Sequence, residues 1–381
     1  MPSRICIIGG GGYLGQHIAN GLQLHGSHTV LMDIRFINVP LVQLNEQLTT
    51  RITGNLLKTD LLRKALEGCE SCYHLAAYGV RGGHSLDKAM TYRVNVDGIK
   101  AVVECCKQLG VQRLIFTSSV TVVFSDQQLL NSDETQPYLP ESKHLSSYCA
   151  TKALAEKYIL KSNTDTFRTC ALRLRGIYGP GEPNMVQQCI DICEKGGMLA
   201  TFEKSKNCIT QYSNIVNCVS AALLAEDALR HNRACGQVYN IVDDGNVGSL
   251  LFWKPLIEAT GHKYPRICVP YLLIYYVAYL FEWLYCLFGI EPIFTRAEIN
   301  LMAISNTYSI EKAKRDLGYS PVDNNDLTAV VEYYKTVQKQ SRSIAQKRQR
   351  LLSDRSVGLL LLLLPLLCFF AYLLSIFIKY S

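Results

Sequence analysis

The run Ile7-Ile8-Gly9-Gly10-Gly11-Gly12-Tyr13-Leu14-Gly15 decides how the rest of the chain is read. Arg4 to Ile8 is a short apolar run of the kind that makes a buried parallel strand, and Tyr13 to His25 carries apolar residues at helical spacing. The backbone between them must turn sharply. Gly9, Gly12 and Gly15 supply a Gly-x-x-Gly-x-x-Gly spacing. One glycine serves the turn, one lets backbone amides approach a pyrophosphate, and one lets helix pack on strand. Tyr13 and Leu14 open the helix, whose N-terminus adds the positive end of a dipole. No Gly-Lys-Ser or Gly-Lys-Thr follows, which disfavours a phosphate loop of the ATPase kind. His28 to Met32 reads as the second strand and ends on Asp33. A carboxylate about twenty residues beyond the glycines can take both ribose hydroxyls of NAD and repels the extra phosphate of NADP. Arg35 is the one residue nearby that would favour that phosphate, and NAD is read over NADP.

With 381 residues, 48% of them apolar and 19% charged, the chain can bury a sizeable core. Its net charge of +7 does not mark a nucleic-acid binder. Lys335 to Arg355 carries seven basic residues against one acidic, and with Lys379 it accounts for the whole excess. The folded part is left without a basic face for a phosphate backbone. The 15 cysteines are scattered and odd in number, and read as reduced thiols. Cys69-Glu-Ser-Cys72 has no second pair at zinc-finger distance and reads as core cysteines, so no metal site is expected.

Further along, Arg51 to Thr53 precedes Gly54-Asn55-Leu56, where Asn55 can bond an adenine edge with Leu56 beside it, and a helical pattern continues through Leu66. Cys72 to Leu75 reads as a strand running into Ala76-Ala77, small residues suited to a strand end that passes close to a nucleotide. His74 there reads as a satisfied histidine rather than a catalyst. Met90 to Gln108 reads as a helix beginning near Asn95-Val-Asp-Gly98, and Arg113 to Phe116 as a strand ending in Thr117-Ser118-Ser119. A polar loop, Ser125 to Ser146, leads to a helix opening at Tyr148 and continuing through Leu160, with Lys152 on the same face as Tyr148. Strand and helix alternate throughout. This predicts an α/β fold, a Rossmann-type doubly wound parallel sheet with its ligand beyond the carboxyl ends of the strands. Gly9, Asp33, Ala76 and Ser119 all fall on that rim.

Together these motifs resemble the extended short-chain dehydrogenase/reductases, specifically the 3-beta-hydroxysteroid dehydrogenase/isomerase type. The resemblance runs from about Arg4 to Tyr334 and adds Arg173, Gly176-Ile-Tyr-Gly-Pro-Gly181, Tyr308-Ser-Ile-Glu-Lys312 and Leu317-Gly-Tyr319 to the stretches above. Within the type the chain looks most like the family-42E members, with the membrane-bound sterol-4-alpha-carboxylate 3-dehydrogenases next. It departs at Ile8, where the family has threonine, and at Asn55, where it has aspartate. Leu174 stands where proline follows the arginine, and Asn214-Ile215-Val216 replaces a His-Val-Asp/Asn stretch.

The resemblance implies an NAD-binding Rossmann domain over 1–182 and a smaller substrate domain over 183–334, with dimerisation a family expectation. It also implies Tyr148 as base toward a secondary alcohol and Lys152 as the charge that lowers the phenol and holds ribose. Ser119 becomes the donor to the substrate oxygen, and Asn95 holds a water behind Lys152. The substrate it favours is a 3-beta-hydroxysteroid or sterol, oxidised with or without double-bond isomerisation. A decarboxylating 4-carboxysterol dehydrogenase and a non-catalytic NAD-binding membrane module are the alternatives.

Two stretches concern the membrane. The 269–290 segment has five tyrosines, Trp283 and one charge, Glu282, and is read as an interfacial helix bordering a lipid entrance, with an ordinary buried helix as the alternative. Val357 to Ile378 is 22 residues without a charge, long enough to span a bilayer as a C-terminal tail anchor. The basic linker at 335–356 then faces the cytosol and keeps the enzyme body there, with the endoplasmic reticulum the natural membrane for a sterol enzyme.

Overall fold

Along β1 (Arg4–Ile8) successive side chains are buried on opposite faces, and this double burial is what the uninterrupted apolar run encodes. The computed structural model describes residues 3–339 except 145 and 197–199; the expected tail anchor and most of the basic linker lie outside the described residues. After β1 come β2 (His28–Asp33), β3 (Thr49–Thr53), β4 (Ser71–His74), β5 (Arg113–Ser119), β6 (Arg168–Leu174) and β7 (Gln237–Ile241). All are parallel, in the order β7-β6-β5-β4-β1-β2-β3. This is the doubly wound Rossmann-type sheet. The strand order reverses at β1, whose Ile8 lies opposite Met32 on one side and His74 on the other, so a crevice opens beyond those carboxyl ends.

Each face has its own core. Ile5 and Ile7 pack with Ile18, Ala19 and Leu22 of α1 (Tyr13–Leu24) and with the alanines of the helix Ile215–Arg230. Cys6 and Ile8 face the other way, onto the helices Thr59–Leu66, Gly98–Gln108 and Ser147–Lys161. Cys69 and Cys72 are buried on that side with Cys6 and Cys106.

β5 ends in Thr117-Ser118-Ser119 as read from the sequence, with β6 beside it pairing Ser119 with Leu174. Two stretches differ from the sequence reading. The helix expected from Met90 to Gln108 is three pieces: Lys88–Tyr92, a π-helical turn Arg93–Asp97, and Gly98–Gln108. The loop expected from Ser125 to Ser146 contains a strand, Leu129–Ser132, paired in parallel with Asn306–Tyr308.

Beyond the sheet stand the helices Met185–Glu194, Tyr271–Phe288 and Arg296–Ala303 and small strands including Ile209–Thr210 and Asn306–Tyr308. Helix Tyr271–Phe288 is long and apolar enough to cross a membrane by length and composition. It is not a buried helix: Tyr276, Trp283 and Phe288 are 63%, 53% and 69% exposed. Its one charged residue, Glu282, is turned inward, accepting from the Arg296 backbone N–H at 2.6 Å and from the Arg296 guanidinium at 2.8 Å. A second unit, Val331–Ser381, is helical over 331–339.

Candidate active site

Gly9 turns the chain at φ +89°, and a Cβ there would lie 2.6 Å from the Ala76 backbone nitrogen, so only glycine lets the loop pass under the end of β4. Gly15 has Gly10 Cα 2.7 Å from where its Cβ would be, which is the close helix–strand approach expected of it. Gly12 is different. A Cβ on it would meet nothing nearer than the Gly9 carbonyl oxygen at 3.5 Å, so the space above it is open. Helix α1 begins there without a side-chain cap hydrogen bond and with no acidic residue in its first turn. The Tyr13 side chain points away from the loop, its hydroxyl donating to the Pro180 carbonyl at 3.0 Å.

Asp33 closes β2 beside this loop. Its carboxylate accepts from the Gly11 N–H at 3.0 Å and the Arg35 N–H at 3.3 Å, holding the acid at the cavity wall. Asn55 is exposed and uses its side-chain oxygen to accept from the Leu57 N–H at 2.9 Å, so it shapes the turn after β3 while lining the same cavity. That cavity, about 920 Å³, runs from Asp33, Asn55 and Leu56 past Gly12, Leu14 and Ala76 to Ser119, Tyr148 and Lys152. An open glycine, an uncapped helix start and a strand-end acid fit a nicotinamide dinucleotide.

Ser146 caps the helix Ser147–Lys161, its hydroxyl accepting from the Cys149 N–H at 3.4 Å, which puts Tyr148 in the first turn and Lys152 one turn on. Lys152 is 3% exposed; its ammonium donates to the Thr117 carbonyl at 2.6 Å and sits 4.5 Å from the Phe116 ring centre and 6.0 Å from that of Tyr148. Burial lowers it to about 7 against the pull of Glu156. Burial also pushes the Tyr148 phenol up from the ordinary tyrosine range. Protein groups by themselves thus move both residues away from a phenolate–ammonium pair.

Ser119 accepts twice from Thr121, from the N–H at 3.3 Å and the hydroxyl at 2.9 Å. With those acceptor positions taken, its own O–H is left to donate into the cavity. Asn95 does not line the cavity. It is buried in the π-helical turn, accepting from the Tyr78 N–H at 2.8 Å and donating to the Tyr78 carbonyl at 3.0 Å and the Thr151 hydroxyl at 3.1 Å. It clamps the helix Ser147–Lys161 to the loop after β4. His74 is not the satisfied histidine expected. Among the described residues both ring nitrogens are buried without a hydrogen-bond partner, the ring stacks on Phe116 at 5.9 Å, and burial lowers it to about 3, so it is neutral.

Sequence reasoning passed over Thr121, Thr151 and the Arg173–Glu156 pair. Glu156, one turn beyond Lys152, is fully buried and accepts from Arg173 at 2.7 Å and from the Tyr138 hydroxyl at 2.7 Å, fixing the helix Ser147–Lys161 to β6. Asn214, where the family pattern differs, caps the helix Ile215–Arg230 by accepting from the Val216 N–H at 3.0 Å.

The sheet and this rim of residues define an oxidoreductase of the short-chain dehydrogenase/reductase class. Residues 6–271 match the model of the 3-beta hydroxysteroid dehydrogenase/isomerase family. The chain belongs to that family. It is 34% identical over 331 residues to short-chain dehydrogenase/reductase family 42E member 1 of Xenopus laevis, covering 83% of this chain and 84% of the relative. It is 33% identical over 332 residues to a mouse sterol-4-alpha-carboxylate 3-dehydrogenase, decarboxylating, covering 85% and 88%. A UDP-glucuronic acid 4-epimerase from Bacillus cereus, solved in complex with NAD, shares the fold with a TM-score of 0.66 at 21% identity, covering 88% of this chain and 99% of that one.

Proposed function

We propose that this chain is a membrane-anchored, NAD-dependent dehydrogenase that oxidises the 3-beta-hydroxyl of a steroid or sterol to the ketone. The observation that carries this reading is one cavity in which an uncapped glycine loop and Asp33 stand at one end and Ser119, Tyr148 and Lys152 at the other. Family membership supports a steroid or sterol as the substrate class. Bound NAD supplies the hydride acceptor and a positive charge near the phenol. Tyr148 removes the hydroxyl proton while the carbinol C–H leaves as hydride, and Ser119, its acceptor positions filled by Thr121, donates to the oxygen becoming a carbonyl. Lys152, held by the Thr117 carbonyl and the Phe116 face, favours the phenolate whenever it is protonated.

The tail at 357–378 anchors the chain in the membrane, with the body on the cytosolic side at the endoplasmic reticulum. Helix Tyr271–Phe288, with its outward apolar face and inward Glu282, lies in the interface and borders the route by which a lipid reaches the site. The test is NADH formation by the detergent-solubilised full chain on a panel of 3-beta-hydroxysteroids and sterols, beside Tyr148→Phe. Loss of turnover in that variant with cofactor binding retained supports the assignment. A Tyr148→Phe enzyme as fast as wild type would sink it.

A second reading, decarboxylating oxidation of a 4-carboxysterol, has its own observation. Arg81 lines the catalytic cavity near Glu298, and among the described residues its Nη1 is buried without a hydrogen-bond partner, a donor for a substrate carboxylate. Release of carbon dioxide and a 4-desmethyl ketone would distinguish it.

A further inference from the structure

The catalytic cavity has a neighbour. Met185, Gln188, Phe294 and Met302 line it and also line a second cavity of about 340 Å³, so the two adjoin across those four side chains. The far wall of the second cavity is Phe202, Trp253, Ile257 and, from the inner face of helix Tyr271–Phe288, Ile274, Ala278 and Phe281. Among the described residues no charged side chain lines it. Three of its polar groups are already engaged: the Trp253 indole N–H donates to the Tyr212 hydroxyl at 3.1 Å, the Gln188 amide to the Ile293 carbonyl at 3.1 Å and the Thr201 hydroxyl to the Ile267 carbonyl at 3.4 Å. Tyr264 adds a hydroxyl to walls that are otherwise mainly apolar, and the volume suits a hydrocarbon group.

A steroid nucleus whose 3-hydroxyl meets Tyr148 directs its opposite end away from the catalytic rim. We propose that the second cavity receives the alkyl side chain carried at that end, so that the enzyme selects 3-beta-hydroxysterols with an intact hydrocarbon side chain over steroids in which it is missing or replaced by oxygen. The proposal rests on the 3-beta-hydroxysteroid reading above. A ketone or hydroxyl at the far end of a shortened steroid would be desolvated against Phe202, Ile257 and Ile274. An alkyl chain exchanges water for apolar contact along its length.

The chain has two tryptophans, Trp253 in this cavity and Trp283 on the exposed face of the helix, and they report separately on the two places. In the full-length Trp283→Phe protein, a 3-beta-hydroxysterol brominated at the end of its side chain should quench Trp253 emission saturably, while a ring-brominated steroid without the side chain should not. Trp253→Phe, which leaves Trp283, measures non-specific uptake of the same probes. In turnover, side-chain-bearing sterols should show at least about tenfold higher kcat/KM than side-chain-less 3-beta-hydroxysteroids, since a single methylene in an apolar pocket already discriminates by that much. Ala278→Phe or Ile257→Phe, which fill the cavity, should erase the advantage and leave the short steroids unchanged. Unquenched Trp253, or equal turnover of both classes by the wild type, overturns the proposal. Saturable quenching of Trp253 with no oxidation of any alcohol would instead keep the cavity assignment and reject the 3-beta-hydroxysteroid reading.

Discussion

Thr121 donates both its backbone N–H and its hydroxyl to the Ser119 oxygen, at 3.3 and 2.9 Å, and so sets which way the Ser119 hydroxyl hydrogen can point. Thr121→Val keeps the backbone bond and the volume but removes the second donor. The expected result is a fall in kcat of about tenfold, less than the ~10²–10⁴-fold of a whole general-acid contribution because Ser119 itself stays in place, with the KM for NAD unchanged. Thr121→Ser should recover most of the loss, a rescue that a merely structural role for the residue would not require.

Lys152 is a buried cation whose compensation is a carbonyl and an aromatic face, with Glu156 acting from one turn away. Its folded value, about 7, lies below the ordinary lysine value of about 10.4. Folding is therefore penalised most below pH ~7, and the penalty fades as the pH rises from there toward the lysine value, where the unfolded chain also loses the proton. Lys152→Met should be inactive yet more resistant to urea than wild type at pH 6, the gap closing at alkaline pH. A variant less stable than wild type at both pH values would contradict this account.

The Arg173–Glu156 pair has both partners essentially inaccessible, at 1% and 0% exposure. Arg173→Met strands the carboxylate next to Tyr138, and a cost of about 3–5 kcal/mol is expected in equilibrium unfolding. Adding Glu156→Gln should restore much of it, because the charge that has lost its partner is then gone.

Gly9 and Gly12 should separate folding from binding. Gly9→Ala puts a methyl group against the Ala76 backbone at a positive φ and is expected to lower Tm by several degrees and abolish NAD binding. Gly12→Ala has room within the protein. It should melt like wild type, yet bind NAD at least about tenfold more weakly by calorimetry.

Much of this was readable because the sheet is buried on both faces and its strands are short, so apolar runs alternating with helical patterns mark each crossover. The rim residues Gly9, Asp33, Ala76 and Ser119 then follow from strand ends alone. What escaped depends on partners far along the chain. The strand Leu129–Ser132 is only four residues long, two leucines followed by Asn131 and Ser132, and exists because Asn306–Tyr308 lies beside it. Asn95 acts through Tyr78 and Thr151, and a π-helical turn has no simple periodicity to betray it. His74 has no hydrogen-bond partner among the described residues and stacks on Phe116, a contact that no local pattern announces. The second cavity draws its walls from residues as separated as Met185, Phe202, Trp253 and Met302.

Because Glu282 is folded back onto Arg296, the outer surface of helix Tyr271–Phe288 presents no carboxylate or ammonium. Attachment by such a surface is set by area, so salt should leave it largely untouched. Under the proposed function, an enzyme seated that way would meet its lipid in two dimensions. The quantity that saturates it would be the mole fraction of sterol in the film, while NAD would still be counted per litre of water.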